Sequence, residues 1–117
     1  MKHCLVVGDS RVIRKVACKI LSDMQFYTEE AEQGAEALEA CRVQMPDAVL
    51  IDLAHAGSIE LMRALRRDKG SKRPQIVFAT TENNVSRIAE ALNAGADEYF
   101  LKPFDRETMQ SKFDLAA

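Results

Sequence analysis

The sequence has no tryptophan, only two tyrosines and five phenylalanines, so its core must be built from aliphatic side chains. Its three cysteines, Cys4, Cys18 and Cys41, are widely spaced and form no C-x-x-C pair. That spacing excludes a zinc knuckle and a disulfide framework, and it reads as reduced thiols in a reducing compartment. Cys4 and Cys41 lie within apolar patterns, as small core residues do. Cys18 falls off the apolar stripe of its helix, which leaves a reactive thiol open there. No apolar run approaches the ~20 residues that cross a bilayer, and the N-terminus leads into a strand-like segment rather than a leader. A cytoplasmic location without a membrane partner is therefore expected. Neither sign of charge dominates: the net charge of −2 gives no general reason to expect a nucleic-acid partner. Repeats, low-complexity tracts and interdomain linkers are absent as well. What remains is a chain of 117 residues, 47% of them apolar, which fits one domain over 1–117 with an adequate core.

Within that chain, short β runs alternate with helical stretches. Cys4-Leu-Val-Val is a continuous apolar strand, followed by Val12, Ile13, Val16, Ala17, Ile20, Leu21 and Met24 at the three- and four-residue steps of a buried helix face. Tyr27-Thr-Glu-Glu-Ala has the mixed polarity of a sheet edge. Gly34 to Met45 reads as a second helix with Ala37, Leu38, Cys41 and Met45 inward, broken by Pro46-Asp47. Ala48-Val-Leu-Ile is the most apolar strand, and Asp52 follows it at once. Ser58 is placed to cap a third helix carrying Leu61, Met62 and Leu65. After the loop Asp68–Pro74 comes the strand Gln75-Ile-Val-Phe-Ala. A fourth helix then carries Val85, Ile88, Ala89 and Leu92 inward, and Gly95 sits where a left-handed stop is wanted. Glu98-Tyr-Phe-Leu is the fifth strand, and Asp105 is placed to cap a last short helix with Met109 and Phe113 inside. Five strands alternating with five helices predict a doubly wound α/β fold, a parallel sheet covered on both faces.

Ligands of such sheets bind beyond the carboxyl ends of the strands. Those ends carry Asp9 after the first strand, Asp52 after the third, Thr80-Thr81 at the fourth and Lys102-Pro103 after the fifth. Two carboxylates, a hydroxyl and an ammonium are thus expected to converge. Neighbouring carboxylates repel unless a cation lies between them, and hard oxygen ligands favour Mg²⁺. A carboxylate beside Mg²⁺ can act as a nucleophile towards phosphorus, with Lys102 and Thr80 stabilising the phosphoryl oxygens.

The segments Val6-Val-Gly-Asp-Ser-Arg, Val49-Leu-Ile-Asp52, Ala79-Thr-Thr-Glu, Ala94-Gly-Ala-Asp and Tyr99-Phe-Leu-Lys-Pro-Phe104 resemble receiver domains of two-component response regulators, the single-domain chemotaxis type above all. The resemblance spans nearly the whole chain. It implies a flavodoxin-like (βα)5 fold with strand order 2-1-3-4-5. It also implies that Asp52 is the phosphoacceptor, taking a phosphoryl group from a histidine kinase or a histidine phosphotransfer protein. Asp9, Asp52 and the backbone carbonyl of Ala54 match the Mg²⁺ ligands, Lys102 the pocket lysine, and Thr80 and Tyr99 the switch pair. The Lys102-Pro103 bond is expected cis. The implied output is a protein target bound on the helix 4–strand 5–helix 5 face. Such a domain is no enzyme beyond taking phosphate from small donors and losing it slowly. With no output domain after Ala117, the chain is expected to act through partners, to shuttle phosphate, or to be a fragment of something longer.

Two departures from the family pattern stand out. Gly8 occupies the place of the first of two acidic residues, which is expected to weaken Mg²⁺ binding without abolishing it. The segment Leu53-Ala-His-Ala-Gly-Ser58 lacks the usual proline and is about two residues shorter than in the family. They motivate an alternative, a degenerate receiver that binds partners without phosphorylation. A phosphatase-like hydrolase is a further reading, but it would need a second Asp two residues after Asp52, where Ala54 stands. Simpler roles stay open for single residues. Asp9 fits the N-cap of the first helix, Thr80 a helix start and Tyr99 a half-buried strand aromatic. His55 fits an exposed loop position or a nitrogen ligand. Arg63, Arg66, Arg67, Lys69, Lys72 and Arg73 fit a solvated helix end or a docking patch for an anionic partner.

Overall fold

Cys4 to Val7 pass between two layers of helices, which is why this run is apolar at every position rather than at every second one. The computed structural model describes residues 1–113 apart from Lys69, Ser71 and Glu82. Lys69 of the basic run, Ser71 of the loop 68–74 and Glu82 of the Ala79-Thr-Thr-Glu motif thus lie outside the described residues, as does the end of the expected 1–117 domain. The elements alternate along the chain as β1 (Lys2–Gly8), α1 (Arg11–Asp23), β2 (Phe26–Ala31), α2 (Gly34–Val43), β3 (Ala48–Asp52), α3 (His55–Arg67), β4 (Gln75–Thr80), α4 (Val85–Ala94), β5 (Glu98–Leu101) and α5 (Arg106–Lys112). The sheet is parallel throughout, in the order β2-β1-β3-β4-β5. The doubly wound architecture and strand order read from the sequence are those observed.

Alternation along the strands divides the core in two. Leu5, Val7, Val49, Ile51, Ile76 and Phe78 face α2, α3 and α4, while Cys4, Val6, Leu50, Val77, Ala79 and Phe100 face α1 and α5. Leu50 and Ile51 are fully buried on opposite faces, and truncating either to alanine is a change that costs about 2–5 kcal/mol. β2, with its alternating burial, lies at a sheet edge as expected.

Three helices differ from the sequence reading. α1 is capped by Ser10, whose Oγ accepts from Ile13 N at 3.2 Å, and not by Asp9. Val12 and Val16 lie on the exposed flank of the helix, at 73% and 46%, and full burial begins only at Ala17. α3 starts at His55 rather than after Ser58, because only Leu53 and Ala54 separate it from β3. Ser58 therefore caps nothing. It is buried in the first turn of α3, and its hydroxyl donates to the Leu53 carbonyl at 3.1 Å. On α4 the inward face is Ile88, Ala91 and Ala94, while Val85, Ala89 and Leu92 are exposed. Ile88 is thus the one residue of the expected set that is buried; Ala91 and Ala94, small enough for the helix to pack closely, complete the inward face in place of Val85, Ala89 and Leu92.

The other end-signals hold. Asp105 caps α5 by accepting from Thr108 N at 2.7 Å, and Met109 and Phe113 are buried. Gly95 ends α4 at φ 132, where a Cβ would also lie 2.5 Å from Cγ of Arg66. That approach lets Arg66 reach the Gly95 carbonyl at 3.0 Å, the Pro74 carbonyl at 2.8 Å and Asp97 Oδ2 at 2.8 Å. Arg66 is thus a buttress between α3 and the β4–β5 side of the sheet, not part of a solvated basic end. Among the described residues no helix is long and apolar enough to cross a membrane.

Candidate functional site

The parallel register places Gly8 of β1 beside Asp52 of β3, so Asp9 and Asp52 emerge at adjacent strand ends. On the other side Thr80 pairs with Leu101, and Lys102 N donates to the Thr80 carbonyl at 2.9 Å, which fixes Lys102 one step beyond β5. The Lys102-Pro103 peptide is cis, as expected. Asp9, Asp52, Ala54, Thr80 and Lys102 all line one cleft of about 230 Å³ at this carboxyl edge. Tyr99 does not line it; half-buried on β5, it pairs with Phe78 and packs against the α2–α3–α4 side of the core, with Lys112 Nζ 5.6 Å from its ring centroid.

The carboxylate of Asp52, 8% exposed as a residue, meets Lys102 Nζ at 2.7 Å from Oδ1. A buried carboxylate needs such a partner, because an unpaired charge out of water costs several kcal/mol (roughly). Only Oδ1 is engaged by the lysine, so Oδ2 is left for a second cation or for chemistry. Asp9 is exposed and, among the described residues, makes no hydrogen bond or ion pair.

Oxygen donors of this kind suit Mg²⁺, which keeps several waters and takes one or two carboxylates. The residues present fit that ion in kind but are fewer than the family norm. At Gly8 a Cβ would lie 3.3 Å from the Asp52 carbonyl oxygen and 3.6 Å from Cγ of Arg14, so the stem of Arg14 borders the space a first acidic side chain would use. The Arg14 guanidinium donates to the Gly8 carbonyl at 2.6 Å and to Glu30 Oε1 at 3.0 Å. The Glu30 carboxyl is held below its usual range by Lys15 and, against the opposing effect of burial, by Arg14 as well. The Ala54 carbonyl already accepts Ser58 N at 2.9 Å, which leaves it one lone pair for a metal.

His55 is neither an exposed loop residue nor free. It opens α3, lines the cleft, and its Nε2 meets Glu90 Oε1 of α4 at 2.7 Å. That hydrogen bond holds the Glu90 carboxyl below the usual glutamate range. Neither Arg14 nor Glu90 was legible as part of the site: Arg14 follows the β1 motif closely, but its turn back onto the Gly8 carbonyl depends on how α1 packs, and Glu90 sits on α4, 35 positions from His55. Burial raises the thiols of Cys18 and Cys4 above the ordinary cysteine range and that of Cys41 to about 11, so none of the three has thiolate character.

Comparison with known proteins agrees with this geometry. Residues 4–114 match the family described as response regulator receiver domain. The Helicobacter pylori chemotaxis protein CheY1 is 30% identical over 115 residues, covering 95% of this chain and 93% of that protein. The structure of Vibrio cholerae chemotaxis protein CheY4 superposes with a TM-score of 0.85 at 28% identity, over 97% of this chain and 99% of that one. The receiver domain of the Pseudomonas aeruginosa sensor histidine kinase PA1611, solved with a magnesium ion coordinated in its active-site cleft, gives 0.82 at 25% identity over 94% and 92%. Fold, strand-end chemistry and sequence relationship therefore converge, and the chain belongs to the response regulator receiver domain family of two-component signalling.

Proposed function

We propose that Asp52 is the phosphoacceptor of this receiver and that its phosphorylation switches binding of a protein partner. The observation that carries the reading is the Asp52–Lys102 contact of 2.7 Å, in a cleft that Asp9 and Thr80 also line. In the transfer, an Asp52 carboxylate oxygen forms a bond to phosphorus as the N–P bond of a kinase or phosphotransfer histidine breaks. The imidazole leaves with the electron pair of that bond and takes up a proton. Lys102 stays beside the former carboxylate and offers its charge to a phosphoryl oxygen, and the Thr80 hydroxyl donates to another. Mg²⁺, held by Asp9, Asp52 and the remaining lone pair of the Ala54 carbonyl, would neutralise charge building on the phosphoryl group. Acetyl phosphate or phosphoramidate can replace the protein donor, and the acyl phosphate is lost slowly to water.

Movement of Thr80 towards the phosphoryl group would change the packing of Tyr99 and so the α4–β5–α5 face. That face offers Val85, Leu92 and Leu101, three exposed aliphatic residues, to a protein target. Intact mass after incubation with phosphoramidate and Mg²⁺ tests the reading. The native protein is expected to gain one phosphoryl group and Asp52→Asn none. No gain from either small donor or from a cognate kinase would overturn it.

A further inference from the structure

His55 stands at the boundary between two cavities. It lines the cleft of about 230 Å³ that contains Asp52, and it also lines a groove of about 440 Å³ between α3 and α4, which Glu90 lines too. Its side chain is 17% exposed, its Nε2 is held by Glu90 at 2.7 Å, and its ring stands edge-on to Phe78 with centroids 6.2 Å apart. The two-residue connection Leu53-Ala54 makes this placement unavoidable. With no longer loop to absorb it, the residue three positions after the acceptor becomes the first residue of α3 and sits against the cleft wall.

We propose that His55 is a positioning residue that couples Asp52 phosphorylation to α4, by exchanging its hydrogen bond with Glu90 for one to the phosphoryl group. The inference rests on the phosphoacceptor reading above. Three physical points support it. The outer torsion of a histidine is broad and roughly two-fold, and the ring lines both groove and cleft, so turning about that torsion redirects its donor towards the cleft. Phosphorylation replaces a single carboxylate charge with a group carrying about two negative charges and strong acceptor oxygens, which draws a nearby N–H donor. Glu90 is not stranded by the exchange: it is half exposed, and Arg63 and Arg87 both act on its charge. The hydrogen bond that ties the first turn of α3 to α4 would thus open when the cleft is occupied, and α4 would move with it.

The two histidines, His3 and His55, make the test clean by NMR. His3 is buried at the start of β1, at the opposite edge of the sheet, and serves as an internal control. The protein is phosphorylated with phosphoramidate and Mg²⁺, and the extent is read by intact mass on the same sample. The expected result is a shift of the His55 ring nitrogens and of the Val85–Ala94 amides while the His3 ring stays unchanged. Glu90→Ala, which removes the acceptor of the His55 Nε2 bond, should phosphorylate as the native protein does, but its unphosphorylated α4 amides should already lie towards the phosphorylated positions. His55→Phe keeps an aromatic edge on Phe78 without a donor, and at equal phosphorylation it should lose the α4 shifts. A fully phosphorylated native protein whose His55 ring does not shift, or a His55→Phe variant with native α4 shifts, would overturn the coupling and leave Asp52 as acceptor. Absence of the phosphoryl mass in every protein would instead remove the acceptor reading and the coupling together.

Discussion

The two edges of the sheet use aspartate in opposite ways. At the amino edge, Asp47 accepts His3 N at 2.7 Å and Lys72 at 3.1 Å, and its own backbone bonds His3 O and Gln75 N. Asp97 accepts Ile76 N at 2.8 Å together with Arg66 and Arg73, while its N–H donates to Ile76 O. These carboxylates close the starts of β1 and β4, and partners occupy both of their oxygens. At the carboxyl edge Asp52 has one lysine on one oxygen, and Asp9 makes no hydrogen bond or ion pair among the described residues. The same side chain is a structural cap where backbone N–H groups surround it, and where they do not it keeps oxygens open, as the proposed phosphoacceptor requires.

The largest test of that contrast exchanges the two edges. Asp97→Ala leaves Ile76 N without its carboxylate acceptor and removes one anchor of Arg66, so it is expected to lower stability by about 2–3 kcal/mol in urea denaturation. The folded fraction should still be phosphorylated. Asp52→Asn should do the reverse, changing stability by less than about 1 kcal/mol while abolishing phosphorylation, because a partly solvated lysine replaces one partner by water. Equal stability losses in the two variants would erase the distinction between the edges.

A second, smaller effect concerns the metal side of the carboxyl edge. Gly8→Asp restores a second carboxylate after β1. The backbone permits it, since Gly8 has no positive φ, but the new Cβ would sit 3.3 Å from the Asp52 carbonyl oxygen, which must give slightly, while the Arg14 stem at 3.6 Å is in ordinary contact. A stability loss of about 1 kcal/mol is expected. In return the added ligand charge should tighten Mg²⁺ binding about tenfold, read by calorimetric titration. Unchanged affinity would show that the placement of Asp9 and Ala54, rather than carboxylate count, limits the site.

The sequence was most legible where one residue type answers one local demand. Continuous apolar runs marked the buried strands, Gly95 marked a positive φ, and Asp105 marked a cap. The strand-end residues Asp9, Asp52, Thr80 and Lys102 were legible for the same reason, because a parallel sheet sends successive strand ends to one edge. Residues whose role depends on a distant element were not. Ser58 looked like a cap because nothing local reveals that α3 begins three residues earlier, a consequence of the short Leu53-Ala54 link. Val12 and Val16 have helical spacing like that of buried neighbours, and only the angle at which α1 lies on the sheet decides that Ala17 is covered while Val16, one residue before it, is not. Arg66 and Glu90 gain their meaning from partners 29 and 35 positions away, to Gly95 and from His55 respectively.

The smallest effect reads the amino edge through pH. Burial alone would raise the Asp47 carboxyl, but the His3 N–H, Lys72 and the more distant Lys2 outweigh it and hold it below the usual aspartate range. A carboxyl depressed on folding adds stability above the unfolded value of about 3.9, and that contribution is lost as pH falls through the lower folded value. Asp47→Asn keeps an oxygen for His3 N–H but gives Lys72 no charge. It should therefore cost up to about 1 kcal/mol near neutral pH, and nothing once acid has protonated the native carboxyl as well. Urea midpoints measured from neutral to strongly acidic solution should show the native and variant curves converging below the ordinary aspartate value. Curves that stay parallel would mean that Asp47 closes β1 through its shape and hydrogen bond alone, so that the amino edge differs from the carboxyl edge in geometry and not in its use of charge.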